Sequence, residues 1–291
     1  MKRKGIILAG GLGTRLHPST ISVSKQLMPV FDKPMIYYPL SVLMTAGMSE
    51  ILIITTPHDQ DAFKTLLQDG KRWGINIDYA VQPTPDGLAQ ALIIAEEFLD
   101  GAPSALILGD NLFFGSRFSQ SIKVANRKKS GATIFGYEVK NPSDYGVVGF
   151  DENGKVDSII EKPENPASNY AVTGLYFYDQ HAPKYAKQVK PSGRNELEIT
   201  ALNDIYLQAG NLDVELLKSG TTWLDTGTHR SLLQAAQFVS VIEERQGKRI
   251  CCPEVIAYEN NWIDRTQLTV LAKPLEKSGY GKYLYKVLAR V

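Results

Sequence analysis

The segment Gly10-Gly11-Leu12-Gly13-Thr14-Arg15 joins three glycines to a guanidinium, and Lys25 follows shortly after. Glycines let a backbone approach a ligand closely and turn its N–H groups inward, as phosphate cradles do. Arg15 adds a planar two-pronged donor for phosphate, and Lys25 a compact positive charge. Three glycines by themselves suit a tight strand-to-helix turn equally well; the two cations tilt the reading toward an anion. Two common phosphate motifs do not fit. A dinucleotide fingerprint begun at Gly11 needs glycine at position 16, which is Leu16. A Walker loop begun at Gly10 needs glycine and lysine at positions 15 and 16, which are Arg15 and Leu16. The loop is of another type.

Carboxylates form the second group. Asp110 follows the apolar run 105–108, and Asp225 lies in Trp223-Leu224-Asp225-Thr226-Gly227. A carboxylate at a strand end facing a phosphate loop is where Mg²⁺ is held, through one or two carboxylates plus phosphate oxygens. A turn or helix-cap role is the other reading of each aspartate. Glu161-Lys162-Pro163 ends a further strand. A residue before proline is pushed toward extended geometry, so Lys162 is expected to leave the strand end extended. From the residues alone a surface Glu161-Lys162 ion pair is the favoured reading. Residues 82–87 (QPTPDG) make a stiff loop in which Asp86 reads as the N-cap of the next helix. His17, His58, His181 and His229 show no metal spacing and read as surface or capping residues. Asp59-Gln60-Asp61 sits at a helix start, where acidic residues complement the helix dipole. Tyr37 and Tyr38 read as core.

These groups need elements to hold them. Apolar runs at 4–9, 50–55, 77–81 and 105–108 alternate with helical patterns at 34–46, 59–69, 87–99 and 118–129. Continuously apolar strands suit a parallel sheet buried on both faces, and the βαβα order predicts an α/β fold. Strand patterns at 133–139, 147–150, 156–161 and 172–178 then follow closely, as a meander with an Asn153-Gly154 turn signal. A strand at 214–217 and helices at 196–208 and 229–244 come next, and the chain beyond about 245 reads as helical.

Composition narrows the classes. Lys plus Arg number 32 and Asp plus Glu 31, a net charge of +1, so no basic surplus advertises nucleic acid or membrane as a partner. Hydrophobic residues at 43% and charged residues at 22% exclude a disordered or fibrous chain. No apolar run suits a membrane helix, and the run at 6–9 is too short for a signal peptide. The two cysteines, Cys251 and Cys252, are adjacent and suggest a reducing compartment. A cytoplasmic enzyme is the expectation.

GIILAGGLGTRLHP followed by SKQLMPVFDKPMIYYPL resembles the sugar-1-phosphate nucleotidyltransferases. The likeness continues through VQPTPDGLAQA, LILGDNLFFG, YGVVGFD, EKP, AVTGLYFYD, ELEIT and WLDTGTH, and spans essentially the whole chain. The resemblance implies a Rossmann-like, mostly parallel sheet flanked by helices, a sugar-binding β-meander insertion and a C-terminal helical extension. The corresponding parts are a core at 1–244, with a nucleotide half to about 130 and a sugar-phosphate half from about 131, and the extension at 245–291. It implies Mg²⁺-dependent transfer between dTTP and glucose 1-phosphate, feeding dTDP-sugars such as dTDP-rhamnose, in a homotetramer.

The resemblance also assigns residues. Arg15, Lys25 and Lys162 are catalytic. Leu8, Gly10, Gly11, Gly13, Thr14, Arg15, Gln82, Pro85, Gly87 and Asp110 bind the nucleotide, with Gln82 reading the base. Tyr145, Gly146, Glu161, Lys162, Val172, Arg194, Thr200 and Trp223 bind the sugar phosphate. Asp110 and Asp225 hold the metal. Three departures stand out: Leu12 replaces a usual serine, and Ser116 and Glu259 replace the histidine and arginine usual at a second, regulatory site. Glu259 reverses a charge there, so strong feedback by dTDP-rhamnose is not expected. Other readings of the chain are the same chemistry with UTP or another sugar phosphate, a non-catalytic nucleotide-sugar sensor, and a retaining glycosyltransferase.

Overall fold

The continuously apolar runs become interior strands. The structure, a computed structural model, describes residues 1–289. β1 (Lys4–Ala9) is buried on both faces from Gly5 onward. A small hairpin of β2 (Pro29–Val30) and β3 (Lys33–Pro34) leads into α1 (Tyr37–Thr45), followed by β4 (Glu50–Thr55), α2 (Gln60–Leu67) and β5 (Asn76–Val81). The helix expected over 87–99 is two short pieces, α3 (Gln90–Ile94) and α4 (Glu96–Leu99), which meet at Ala95. β6 (Ser104–Leu108), β7 (Asn111–Phe114) and α5 (Ser116–Arg127) complete the first half.

The second half supplies β8 (Ala132–Glu138), β9 (Gly146–Phe150), β10 (Val156–Glu161), β11 (Tyr170–Tyr178), α6 (Ala182–Ala186) and α7 (Ile199–Gln208). β12 (Leu212–Leu216), β13 (Thr222–Asp225) and α8 (His229–Gln246) follow, then the helices α9 (Pro253–Glu259), α10 (Arg265–Ala272) and α11 (Gly279–Leu288). The nine-stranded sheet runs β10-β9-β11-β6-β1-β4-β5, with β8 on β11 and β12 on β8. β6, β1, β4 and β5 are parallel. β11 joins antiparallel to β6 and carries the second half. β9 and β10 form the expected hairpin, with Gly154 at φ 75° in its turn.

Alternation along β1 builds two cores. Ile7 and Ala9 pack on the side of α1, together with Tyr280, Leu284 and Leu288 of α11. Ile6 and Leu8 pack on the other side, with Ala91 and Leu92 of α3 and Leu202 of α7. Each such large side chain contributes about 1.5–3 kcal/mol when fully buried. The C-terminal helices therefore finish a core that the first strand begins. Tyr38 is fully buried and donates to Val30 O at 2.8 Å. The carboxyl ends of β1, β4, β5 and β6 share one edge of the sheet, the edge where open α/β sheets bind ligands. Among the described residues no helix is long and apolar enough to cross a membrane.

Candidate active site

β1 delivers the glycine loop to that edge. A Cβ on Gly10 would lie 2.2 Å from Gln82 Oε1, so only glycine lets the loop rest against the end of β5. Gly11 faces open space. Gly13 has φ 62°, a conformation costly for other residues, and it opens the short turn Thr14–Leu16. The Thr20 hydroxyl pins that turn by donating to Gly13 O at 2.7 Å. Buried Leu16 anchors the turn, while Arg15 stays exposed on its open side. The Leu12 side chain is 61% exposed, so this position offers the loop its backbone rather than a hydroxyl.

β6 and β13 bring the two aspartates together. Gly109 N donates to Leu8 O at 2.9 Å, which holds Asp110 beside the loop. β13 pairs antiparallel with β7 in the register Asp225↔Asn111. Thr226 Oγ1 donates to Asp110 O at 2.8 Å and locks the two segments. Two residues on, Thr228 caps α8 with a reciprocal Thr228–Ser231 capping box, which fixes the turn after Asp225. Arg15 arrives from the other side: its Nη2 lies 3.1 Å from where a Cβ on Gly227 would stand.

The electrostatics follow from this crowding. Lys25 Nζ lies 2.5 Å from Asp110 Oδ2, with side chains 7% and 24% exposed. Burial pushes the Asp110 carboxyl up, but Lys25 and Asn111 outweigh it and hold the group below the usual carboxylate range. Asp225 goes the other way. Burial and the neighbouring Asp110 charge raise it, against Gly227 N, Lys25 and Arg15. Two carboxylates that repel, with an ammonium already drawn against one of them, are a donor set suited to a hard cation. Two protein carboxylates plus phosphate oxygens is the usual Mg²⁺ complement, so the residues fit. No larger cluster of metal-binding side chains occurs among the described residues.

The residues expected to bind the sugar phosphate also converge. A Cβ on Gly146 would lie 2.8 Å from Thr200 Cγ2, 3.3 Å from Glu161 Oε2 and 3.9 Å from Val172 Cβ. The Tyr145 and Trp223 rings meet edge-on at 5.2 Å. The Tyr145 hydroxyl is raised first by burial and then by Asp225, which ties this wall to the carboxylate pair. Arg194 Nη2 contacts Glu198 Oε1 at 2.9 Å and Glu161 Oε1 at 3.2 Å.

Two expectations need correction. Lys162 is not extended: its φ is 44°, in the left-handed region. Its N–H donates to Tyr145 O at 2.9 Å, and this turn at the end of β10 overrides the preference set by Pro163. The side chain is exposed. Asp86 is not a helix cap: Ala89 occupies that position without a side-chain cap. Asp86 Oδ2 instead accepts from Gln90 Nε2 at 2.9 Å.

The loop expected to read the base, residues 82–87, is built from the same segment. Within it Gln82 is buried and Pro85 exposed. Gly87 has φ 111°, and a Cβ there would strike Leu197 N at 2.4 Å. This contact, with Ala89 N donating to Leu197 O at 3.0 Å, fastens the loop at 82–87 to the segment before α7. All four histidines are exposed. Burial raises the Cys251 thiol to about 12, so it carries no reactive thiolate near neutrality.

Asn111 is a site residue absent from the sequence reading. Its Oδ1 accepts from Trp223 Nε1 at 2.6 Å and from Gly174 N at 3.1 Å, and its Nδ2 donates to Asp110 Oδ1 at 2.9 Å. It joins both walls to the first carboxylate. The available signal was an amide directly after Asp110 at a strand end. Ser116 and Glu259 both line a cavity of about 640 Å³ with Phe113, Phe118 and Arg249. None of the glycine loop, Asp110 or Asp225 lines it.

A sequence model of the Nucleotidyl transferase family matches residues 4–241. The chain belongs to this family. Among nucleotidyl transferases it is 60% identical to glucose-1-phosphate thymidylyltransferase of Xanthomonas campestris pv. campestris, over 99% of this chain and 98% of that one. The Mycobacterium tuberculosis enzyme of the same name is 53% identical over 99% of each chain. In structure the chain is similar to a UDP-glucose pyrophosphorylase solved with UDP-glucose, at TM-score 0.72 and 25% identity, over 84% of this chain and all of that one. A provisionally assigned Bacillus anthracis thymidylyltransferase, solved with sucrose, gives TM-score 0.74 and 39% identity, over 81% of this chain and 94% of that one.

Proposed function

We propose that this nucleotidyl transferase moves the thymidylyl group of dTTP to glucose 1-phosphate, releasing pyrophosphate and dTDP-glucose. The observation that carries the reading is the convergence of Arg15, Lys25, Asp110 and Asp225 at the end of β1, tied through Tyr145 to the cluster of Gly146, Glu161, Val172 and Thr200. The high identity to named thymidylyltransferases supports the choice of nucleotide and sugar.

The incoming phosphate monoester has a second pKa near 6, so it is largely dianionic at pH 7 and needs no general base. The reaction then calls on none of the four exposed histidines. The difficulty is to bring two polyanions into line, which calls for positioning and charge neutralisation. The Gly10–Gly13 backbone binds the triphosphate. Arg15 neutralises charge growing on the α-phosphate and leaving group, and Lys25 acts from the pyrophosphate side. Lys162 and Arg194 hold the attacking phosphate, while Glu161 and the Gly146 backbone orient the sugar. Asp110 and Asp225 would hold Mg²⁺, which when bound supplies positive charge to the reacting phosphates. The same reading places the catalytic unit at 1–244, with 245–291 as an appended helical part, in a cytoplasmic homotetramer that feeds dTDP-rhamnose synthesis.

The test is pyrophosphate release by the purified protein with Mg²⁺ and glucose 1-phosphate, comparing dTTP with UTP and omitting each component in turn. Release that requires every component and favours dTTP supports the proposal. A preference for UTP keeps the chemistry and replaces the product. No release from folded protein overturns it.

Two further outcomes follow. Gly146→Ala puts a methyl against Thr200 Cγ2, where a Cβ has only 2.8 Å. It should raise KM for glucose 1-phosphate about tenfold, the effect of one misfitted methyl-sized group, and leave KM for dTTP unchanged. Steady-state kinetics with each substrate varied would show it. Glu259 places a carboxylate on the wall of the Ser116 cavity. Added dTDP-rhamnose is therefore expected to lower the rate by less than the roughly fivefold at the bottom of ordinary allosteric coupling. Tight inhibition in the pyrophosphate assay would contradict this.

A further inference from the structure

The Gln82 amide is held by a chain of side chains that sets which way it points. Thr84 Oγ1 donates to Asp86 Oδ2 at 2.6 Å, and Gln90 Nε2 donates to the same oxygen at 2.9 Å. A carboxylate accepts only, so Gln90 must turn its NH₂ toward Asp86 and its carbonyl away. Gln90 Oε1 then accepts from Gln82 Nε2 at 2.6 Å. The second hydrogen of Gln82 Nε2 goes to Gly87 O at the longer distance of 3.3 Å. Both N–H groups of Gln82 are thus taken. Its Oε1 lies against Gly10 and accepts from none of the described residues.

We infer that Asp86, acting through Gln90, is a specificity-determining positioning residue that presents Gln82 to the base as an acceptor. The inference rests on the assignment of Gln82 as the base reader. An acceptor there pairs with the ring N–H of a 2,4-dioxopyrimidine. It opposes the ring nitrogen of cytosine, which is itself an acceptor. The relay therefore selects thymine and uracil together against cytosine, and leaves the thymine methyl to other contacts. A site built for one hydrogen-bond polarity rejects the opposite one strongly, because its own buried group is left unpaired.

The test compares kcat/KM for dTTP with that for dCTP, by pyrophosphate release, in wild type, D86N, D86N/Q90E and Q82A. In D86N the amide at position 86 can donate as well as accept, so the direction of Gln90 and Gln82 is no longer imposed. The dTTP:dCTP ratio should fall about tenfold, mainly through KM for dTTP, with kcat little changed. In D86N/Q90E the carboxylate sits one step along: it accepts from the amide at 86 and again demands the NH₂ of Gln82. The ratio should return to within about twofold of wild type, a rescue that a merely structural role of Asp86 would not give. A wild-type ratio in D86N, with a lowered ratio in Q82A, overturns the relay. A lowered ratio in D86N that the double variant fails to restore also overturns it. An unchanged ratio in Q82A overturns the base-reader assignment itself, and the relay with it.

Discussion

Arg15→Ala should lower kcat by about 10²-fold or more and change both KM values little, as expected when a donor acts chiefly on charge that develops in the transition state. The structure makes this a clean variant. Arg15 is exposed, forms no salt bridge among the described residues, and belongs to a turn held by buried Leu16 and by Thr20. Removing the guanidinium leaves the fold intact while emptying the space beside Gly227 and Asp225. Arg15→Lys keeps the charge but loses the two-pronged geometry, and should recover only part of the rate. Steady-state kinetics decide the matter; an unchanged kcat in Arg15→Ala removes it from the mechanism.

Asp110→Ala should abolish most activity and also destabilise the protein, whereas Asp225→Ala should lose activity at little cost in stability. Lys25 is 7% exposed and bonded to Asp110. Removing one partner of a buried pair leaves the other charge uncompensated, an effect of about 3–5 kcal/mol. Asp225 has no such partner: burial and Asp110 raise its carboxyl, and its contact with Gly227 N is the bond it loses. The pH dependence has a definite sign. The folded-state carboxyl of Asp110 lies below its ordinary range. Its stabilisation is therefore present above that range and lost as pH falls through the folded value. Denaturant unfolding with chelator present should show a gap between wild type and Asp110→Ala at neutral pH that closes on acidification. A gap independent of pH would contradict the ion-pair account.

Much of this was legible in the chain because it is local. The strands at 4–9 and 50–55 coincide with β1 and β4, since runs buried on both faces leave few alternatives; the strand at 156–161 coincides with β10, which is largely part-exposed and was marked instead by the Asn153-Gly154 turn before it. β7 and β13 escaped because each has four residues and is a strand only through pairing across the chain. That pairing is what sets Asp225 beside Asp110. The glycine loop and Asp110 announced themselves at strand ends. Asn111 did not, because its role comes from Trp223 and Gly174, both remote in sequence. The Lys162 backbone failed for the same reason: its hydrogen bond to Tyr145 O is tertiary and outweighs the local effect of Pro163.

Nucleotidyl transfer and sugar transfer differ in which bond breaks, and the proposed roles of Arg15, Lys25, Asp110 and Asp225 require attack on phosphorus. Glucose 1-phosphate carrying ¹⁸O at all four phosphate oxygens distinguishes the two directly. Turnover with unlabelled dTTP should give dTDP-glucose that retains every label, and pyrophosphate that contains none. Label in the released pyrophosphate, or loss of the C1 oxygen from the sugar product, would contradict attack by the sugar phosphate on the α-phosphorus.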